Sequence, residues 1–119
     1  MVIHDPAFLQ RAAEAKARVD QLQPGDLEAA LEAGAILIDV REPAEQAEGT
    51  IQGSLNIPLD SLAQRIAAVV PDTSAAIICF CKGGNRGSLA AADLLDLGYT
   101  NVRSIAGGLE GLSAGEPAP

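Results

Sequence analysis

Two runs of this chain are apolar without alternation. Ala35-Ile36-Leu37-Ile38-Asp39-Val40 and Ala76-Ile77-Ile78-Cys79-Phe80-Cys81 carry apolar, mostly large or β-branched side chains at successive positions, Asp39 alone excepted. A strand can bury such a run only if both of its faces are covered. Around these runs, apolar residues recur at helical spacing. Phe8, Ala12, Ala15 and Val19 share one face after Asp5-Pro6 and predict a helix over 6–19. Leu27, Ala30 and Leu31 predict a second helix, opened by Pro24-Gly25-Asp26 and closed by Gly34. Glu42-Pro43 starts a short acidic helix through Glu45 and Glu48, stopped by Gly49. Leu62, Ile66, Val69 and Val70 form the stripe of another, with capping-box spacing from Ser61 to Gln64 and an end before Pro71. Leu89, Ala92, Leu94 and Leu95 predict the last long helix, which stops at Gly98. Shorter strands are expected over 19–22, within 50–57 and over 101–105, with a brief turn after Gly107-Gly108. Strands alternating with helices predict a parallel α/β sheet. A chain of 119 residues without repeat or linker makes one such domain.

Composition narrows the function. A net charge of −8 argues against non-specific binding to nucleic acid or to an acidic membrane, which needs a basic surface. An anionic substrate must then be drawn by a local positive site. Two cysteines in C-x-C spacing suit neither a disulfide framework nor a four-ligand zinc site, so no metal is expected. Met1 to Asp20 lacks the apolar core of a signal peptide, which predicts a reducing cytoplasm. His4, the single histidine, sits near the N-terminus and is expected to face solvent. The resulting division is a helical extension over 1–20, a domain over 21–113 and a fraying tail over 114–119.

The chemistry concentrates in Cys81-Lys82-Gly83-Gly84-Asn85-Arg86-Gly87-Ser88. A strand that hands over to a helix through glycines turns several N–H groups into one small bowl, with the positive end of the helix behind it. Such a nest favours an anion, and a cysteine at its lip is expected to favour thiolate. Arg86 adds a permanent charge. A buried free cysteine beside a glycine turn is the plainer reading of the same residues. Asp39, Arg41 and Glu42 fall at the end of the first apolar strand, where open α/β sheets bind ligands. An Asp-Arg pair there also serves simply to tie a strand end to a loop. Cys79, two residues back, belongs to the core, where a thiol is usually inert.

Three segments in order resemble the rhodanese family: Leu37-Ile38-Asp39-Val40-Arg41-Glu42 with Glu45 and Gly49, Gly53-Ser54-Leu55-Asn56-Ile57-Pro58, and Cys81-Lys82-Gly83-Gly84-Asn85-Arg86. Gly98-Tyr99 and Ile105-Ala106-Gly107-Gly108-Leu109 extend the resemblance, which covers about Leu22 to Leu112. It implies a five-stranded parallel sheet with helices on both faces. It also implies that Cys81 becomes a persulfide, passing sulfane sulfur from a donor such as thiosulfate to cyanide, a thiol or a protein acceptor, with no other cofactor. Lys82, Gly83, Gly84, Asn85, Arg86 and Gly87 would hold the substrate and the persulfide, supported by Asp39, Arg41 and Ser88. The chain departs from the family pattern at Thr50, where histidine is frequent, and at Leu112, where tryptophan is common. Gly87 stands where Ser or Thr is frequent, which leaves Ser88 as the nearest hydroxyl. Two other readings stand beside this one. A phosphatase also uses a cysteine–arginine loop, though one with five intervening residues and not four. A rhodanese-like module can also serve only for binding.

Overall fold

The computed structural model describes residues 5–115, so His4 and the end of the tail lie outside the described residues. In chain order the elements are α1 (Pro6–Arg18), β1 (Asp20–Leu22), a 3₁₀ turn (Pro24–Asp26), α2 (Leu27–Glu32), β2 (Ile36–Asp39) and α3 (Pro43–Ala47). They continue with β3 (Leu55–Asn56), α4 (Leu59–Val69), β4 (Ile77–Phe80), α5 (Asn85–Asp96), β5 (Val102–Ile105) and α6 (Gly108–Gly115). The five strands form one sheet in the order β1-β5-β4-β2-β3. Every pairing is parallel, with Ile38 opposite Cys79 and Cys79 opposite Ser104.

The two unbroken apolar runs are β2 and β4, both interior to the sheet, as their pattern requires. Successive residues of β4 feed opposite cores. Ile77 and Cys79, with Cys81 just beyond the strand, join Ala15 of α1, Leu62 and Ile66 of α4 and Ala90, Ala91 and Leu94 of α5. Ile78 and Phe80 join Leu27 of α2, with Leu109 and Leu112 of α6 packed alongside. Helices therefore cover both faces. Small residues let α5 lie close to the sheet: Ala90 and Ala91 are fully buried. α1 packs on α5, burying Ala12 and Ala15, and an Arg18–Asp96 ion pair of 2.7 Å closes its lower end. Among the described residues no helix is long and apolar enough to cross a membrane.

Three local expectations need correction. Ser61 and Gln64 do not cap α4. The helix already starts at Leu59, and the Ser61 hydroxyl donates back to the Pro58 carbonyl at 3.2 Å. Val69 is half-exposed, because the stripe of α4 runs through Leu62, Ile66 and Val70 and leaves Val69 to one side. The residues after Gly107-Gly108 form a helix and not a brief turn. Both glycines have positive φ, 73° and 59°, so they redirect the chain into α6.

Candidate active site

The site lies where β2, β4 and β5 end. Cys81 follows the last residue of β4 and is only 1 % exposed, so its sulfur sits at the floor of the loop and not at its lip. The chain then turns through exposed Lys82 and Gly83 into buried Gly84, whose φ of 107° suits glycine alone. That turn brings the Gly84 N–H back to the Cys81 sulfur at 3.0 Å. Asn85, Arg86 and Gly87 open α5, and the first N–H groups of a helix have no partner within it. The sulfur is thus held at the positive end of a twelve-residue helix.

The loop is fixed from outside by α6. Leu109 N–H donates to the Cys81 carbonyl and Glu110 N–H to the Lys82 carbonyl, each at 2.9 Å. Both carbonyls are thereby engaged by the backbone of α6. Gly108 makes this approach possible. A Cβ there would lie 2.4 Å from the Cys81 oxygen and 2.7 Å from that of Lys82. Gly87 has a similar role behind the loop, since a Cβ would press the Phe80 Cα at 3.2 Å.

Arg86 does not point free into the bowl. It makes two hydrogen bonds to the Glu45 carboxylate of α3, at 2.6 and 3.0 Å. These bonds hold the Glu45 carboxyl below the usual glutamate range, helped by the Glu42 N–H and opposed by partial burial. The same pair raises Arg86 further above its already high value, with smaller contributions from Cys81 and Asp39. Glu45 was legible only as part of the motif; nothing local in the sequence shows that it meets a residue 41 positions away.

Asp39 and Arg41 are a brace. Asp39 is fully buried, and its carboxylate accepts from the Arg41 N–H and Nε at 3.0 Å each and from Arg41 Nη2 at 2.8 Å. Arg41 Nη2 also donates to the Gly49 carbonyl at 2.7 Å. Thr50 fits this arrangement, donating its hydroxyl to Asp39 at 2.8 Å. Asn56 ties β3 to the same turn by donating to the carbonyls of Asp39 and Arg41, both at 3.0 Å. Ser88 does not supply a hydroxyl to the sulfur. It is fully buried at the base of α5, bonded to Ser104 at 3.1 Å, and Gln21 completes the triangle. Leu112 packs against the Phe80 core. Cys79 is sealed under α5, and burial pushes its thiol up to about 12, which leaves it protonated at neutral pH. Both cysteines are free.

An open cleft of about 580 Å³ adjoins the loop, lined by Arg41, Glu45, Glu48, Lys82, Leu109 and Glu110 among others. Among the described residues, no three His, Cys, Asp or Glu side chains gather in a way that could hold a metal.

A family model of the rhodanese-like domain matches residues 23–114. The chain belongs to the rhodanese-like family. Within it, the chain is 38 % identical over 76 residues to the thiosulfate sulfurtransferase PspE of Escherichia coli K12, a match covering 64 % of this chain and 72 % of that protein. The human single-domain sulfurtransferase TSTD1 superposes with a TM-score of 0.73 at 31 % identity, over 83 % of this chain and 99 % of that one. The protein RPA3614 of Rhodopseudomonas palustris, described as a possible tyrosine phosphatase, superposes with a TM-score of 0.81 at 25 % identity, over 100 % of this chain and 98 % of that one. The rhodanese-like fold therefore fits the whole architecture described above, five parallel strands with helices on both faces.

Two predictions follow from how the loop is held. Gly108→Ala should destabilise the protein by about 2 kcal/mol or more, since the added carbon meets backbone and not a flexible side chain. Gly25→Ala, with open space around it, should change stability by no more than about 0.5 kcal/mol. Urea unfolding of the two variants measures the difference. The second concerns pH. A carboxyl whose folded value is depressed contributes stability above its unfolded value, and loses that contribution as pH falls through the folded one. The stability advantage of wild type over Glu45→Gln should therefore be constant at neutral pH and shrink as pH falls below about 4.3. Unfolding free energies across that range check the sign.

Proposed function

We propose that this chain is a thiosulfate sulfurtransferase acting through a persulfide on Cys81. The observation that carries the reading is the Gly84 N–H aimed at the Cys81 sulfur at 3.0 Å, at the mouth of α5. In the first step the Cys81 thiolate attacks the outer sulfur of thiosulfate. A new S–S bond forms, the original S–S bond breaks, and sulfite leaves with the electron pair. In the second step cyanide or a thiolate attacks the outer persulfide sulfur, and the bonding pair returns to Cys81 as thiolate. The electrons balance within these two displacements, so no oxidant, reductant or metal enters. No general base is needed either, because the attacking group already carries its lone pair.

The chain's own groups account for each requirement. The N–H of Gly84 already points at the Cys81 sulfur, and those opening α5 beside it lack partners within the helix, so they are the donors to meet the persulfide charge. Lys82 is the exposed cation beside the entrance. Asp39 and Arg41 hold the neighbouring turn, and Glu45 holds Arg86 against the loop. A floor position for the sulfur admits a slender terminal atom and excludes bulky electrophiles. Cys79, held as a neutral thiol, takes no part. A reducing cytoplasm would keep Cys81 available. Two observations favour sulfur over phosphate. The four residues between Cys81 and Arg86 make a small bowl, and the Arg86 fork that would clamp a phosphoryl group is occupied by Glu45.

Incubation with thiosulfate should add the mass of one sulfur atom to wild type and to Cys79→Ala, and nothing to Cys81→Ser. Addition of cyanide should remove that mass and release thiocyanate. Aryl phosphate should not be hydrolysed. Phosphate release that depends on Cys81, without any sulfur adduct, would reverse the assignment.

A further inference from the structure

The charges around the loop are unevenly satisfied. Arg41 is neutralised by Asp39, and Arg86 by Glu45. Lys82 remains exposed and lines the cleft together with two further carboxylates, Glu48 and Glu110. Among the described residues neither carboxylate has a cation within ion-pair distance. Glu110 is built into the loop's support. Its N–H donates to the Lys82 carbonyl at 2.9 Å, which fixes its backbone against the loop. Its Oε1 lies 3.2 Å from where a Cβ on Gly83 would sit, so the carboxylate rests on the loop in space that the glycine leaves open. A site that must attract an anion therefore carries at its rim two carboxylates against the single ammonium of Lys82, an excess of one negative charge in a chain whose net charge is −8.

We propose that Glu110 is a specificity-determining residue of the second transfer step, favouring an acceptor thiol that carries a cationic group and disfavouring one that carries a carboxylate. The inference rests on the sulfur-transfer reading above and names the acceptor class for it. The acceptor thiolate attacks the outer sulfur of the Cys81 persulfide. Its new S–S bond forms as the Cys81 bond breaks, and the electron pair returns to Cys81. An ammonium or guanidinium on the entering acceptor would pass through the cleft that Glu110 and Glu48 line, beside the loop on which Glu110 rests. A carboxylate in the same place meets like charge. At a water-facing rim a fixed charge of this kind changes rates by about three- to tenfold per unit of substrate charge, and less at high salt.

The test loads wild type and Glu110→Gln with thiosulfate, removes excess donor and follows loss of the adduct by intact mass. Cysteamine, mercaptoethanol and mercaptopropionate serve as cationic, neutral and anionic acceptors, with rates expressed per thiolate and divided by each thiol's rate with a free small-molecule disulfide, which removes their differences in intrinsic nucleophilicity. Wild type should react in that order, with cysteamine about tenfold faster than mercaptopropionate at low salt. Glu110→Gln should bring the three within about twofold, and Glu110→Lys should reverse the order. Loading of each variant to the same extent shows that its site is folded. An unchanged order in Glu110→Gln, or an anionic thiol reacting fastest in wild type, overturns the inference while leaving sulfur transfer standing. Failure of wild type to take up sulfur overturns the sulfur-transfer reading, and the inference with it.

Discussion

The site depends on two hydrogen bonds outside it, from the first turn of α6 to the carbonyls of Cys81 and Lys82. A short loop can present N–H groups to an anion only if its carbonyls have somewhere else to go, because each peptide carries both. Here α6 accepts that orientation and supplies donors for it. The requirement reaches back into the sequence at Gly108, where any side chain would collide with the two carbonyls, and at Gly84, where the reversal needs positive φ. The other face of the loop is limited by α5, which lies on the end of β4 because Gly87, Ala90 and Ala91 are small.

On the sulfur-transfer reading, the anion-holding role falls to dipoles more than to charges. The two arginines nearest the loop are each engaged by a carboxylate, Arg41 by Asp39 and Arg86 by Glu45. They act as braces that set the positions of the β2 turn and of α5's first turn. Fixed N–H groups suit a small, soft, singly charged sulfur held at close range, whereas a phosphoryl group gains most from a free guanidinium fork. The same pairing leaves the rim of the cleft to Lys82, Glu48 and Glu110, which is why the acceptor's charge matters on the sulfur-transfer reading.

The elements that were legible in the sequence are those fixed by burial. β2 and β4 announce themselves because runs apolar at nearly every position, broken only by Asp39 at the end of β2, need both faces covered, and α5 shows its helical stripe just after the glycines. The Cys81 loop was legible because strand, glycines and helix follow one another directly. What escaped was set by contacts distant in sequence. Ser61 and Gln64 have capping-box spacing, but the chain enters α4 earlier, directly from Pro58. α6 looked like a turn since Gly107-Gly108, at the entry to it, signal a break, and its helical state is stabilised by packing against the Phe80 core. The Glu45–Arg86 pair joins two segments that only the sheet brings together. Ser88 lies one position from the expected hydroxyl, and on a helix one position is about 100° of rotation, enough to aim it at Ser104 and away from the sulfur.

The central claim is that the N–H groups of Gly84 and of α5's first turn hold the sulfur anion. Amide-proton NMR spectra of the wild type before and after sulfur loading test it most directly. The account predicts that the amide protons of Gly84, Asn85, Arg86 and Gly87 move downfield together when the adduct forms, while those of α1 and α4 stay in place. An adduct on Cys81 confirmed by mass, with the loop amides unmoved, would contradict it.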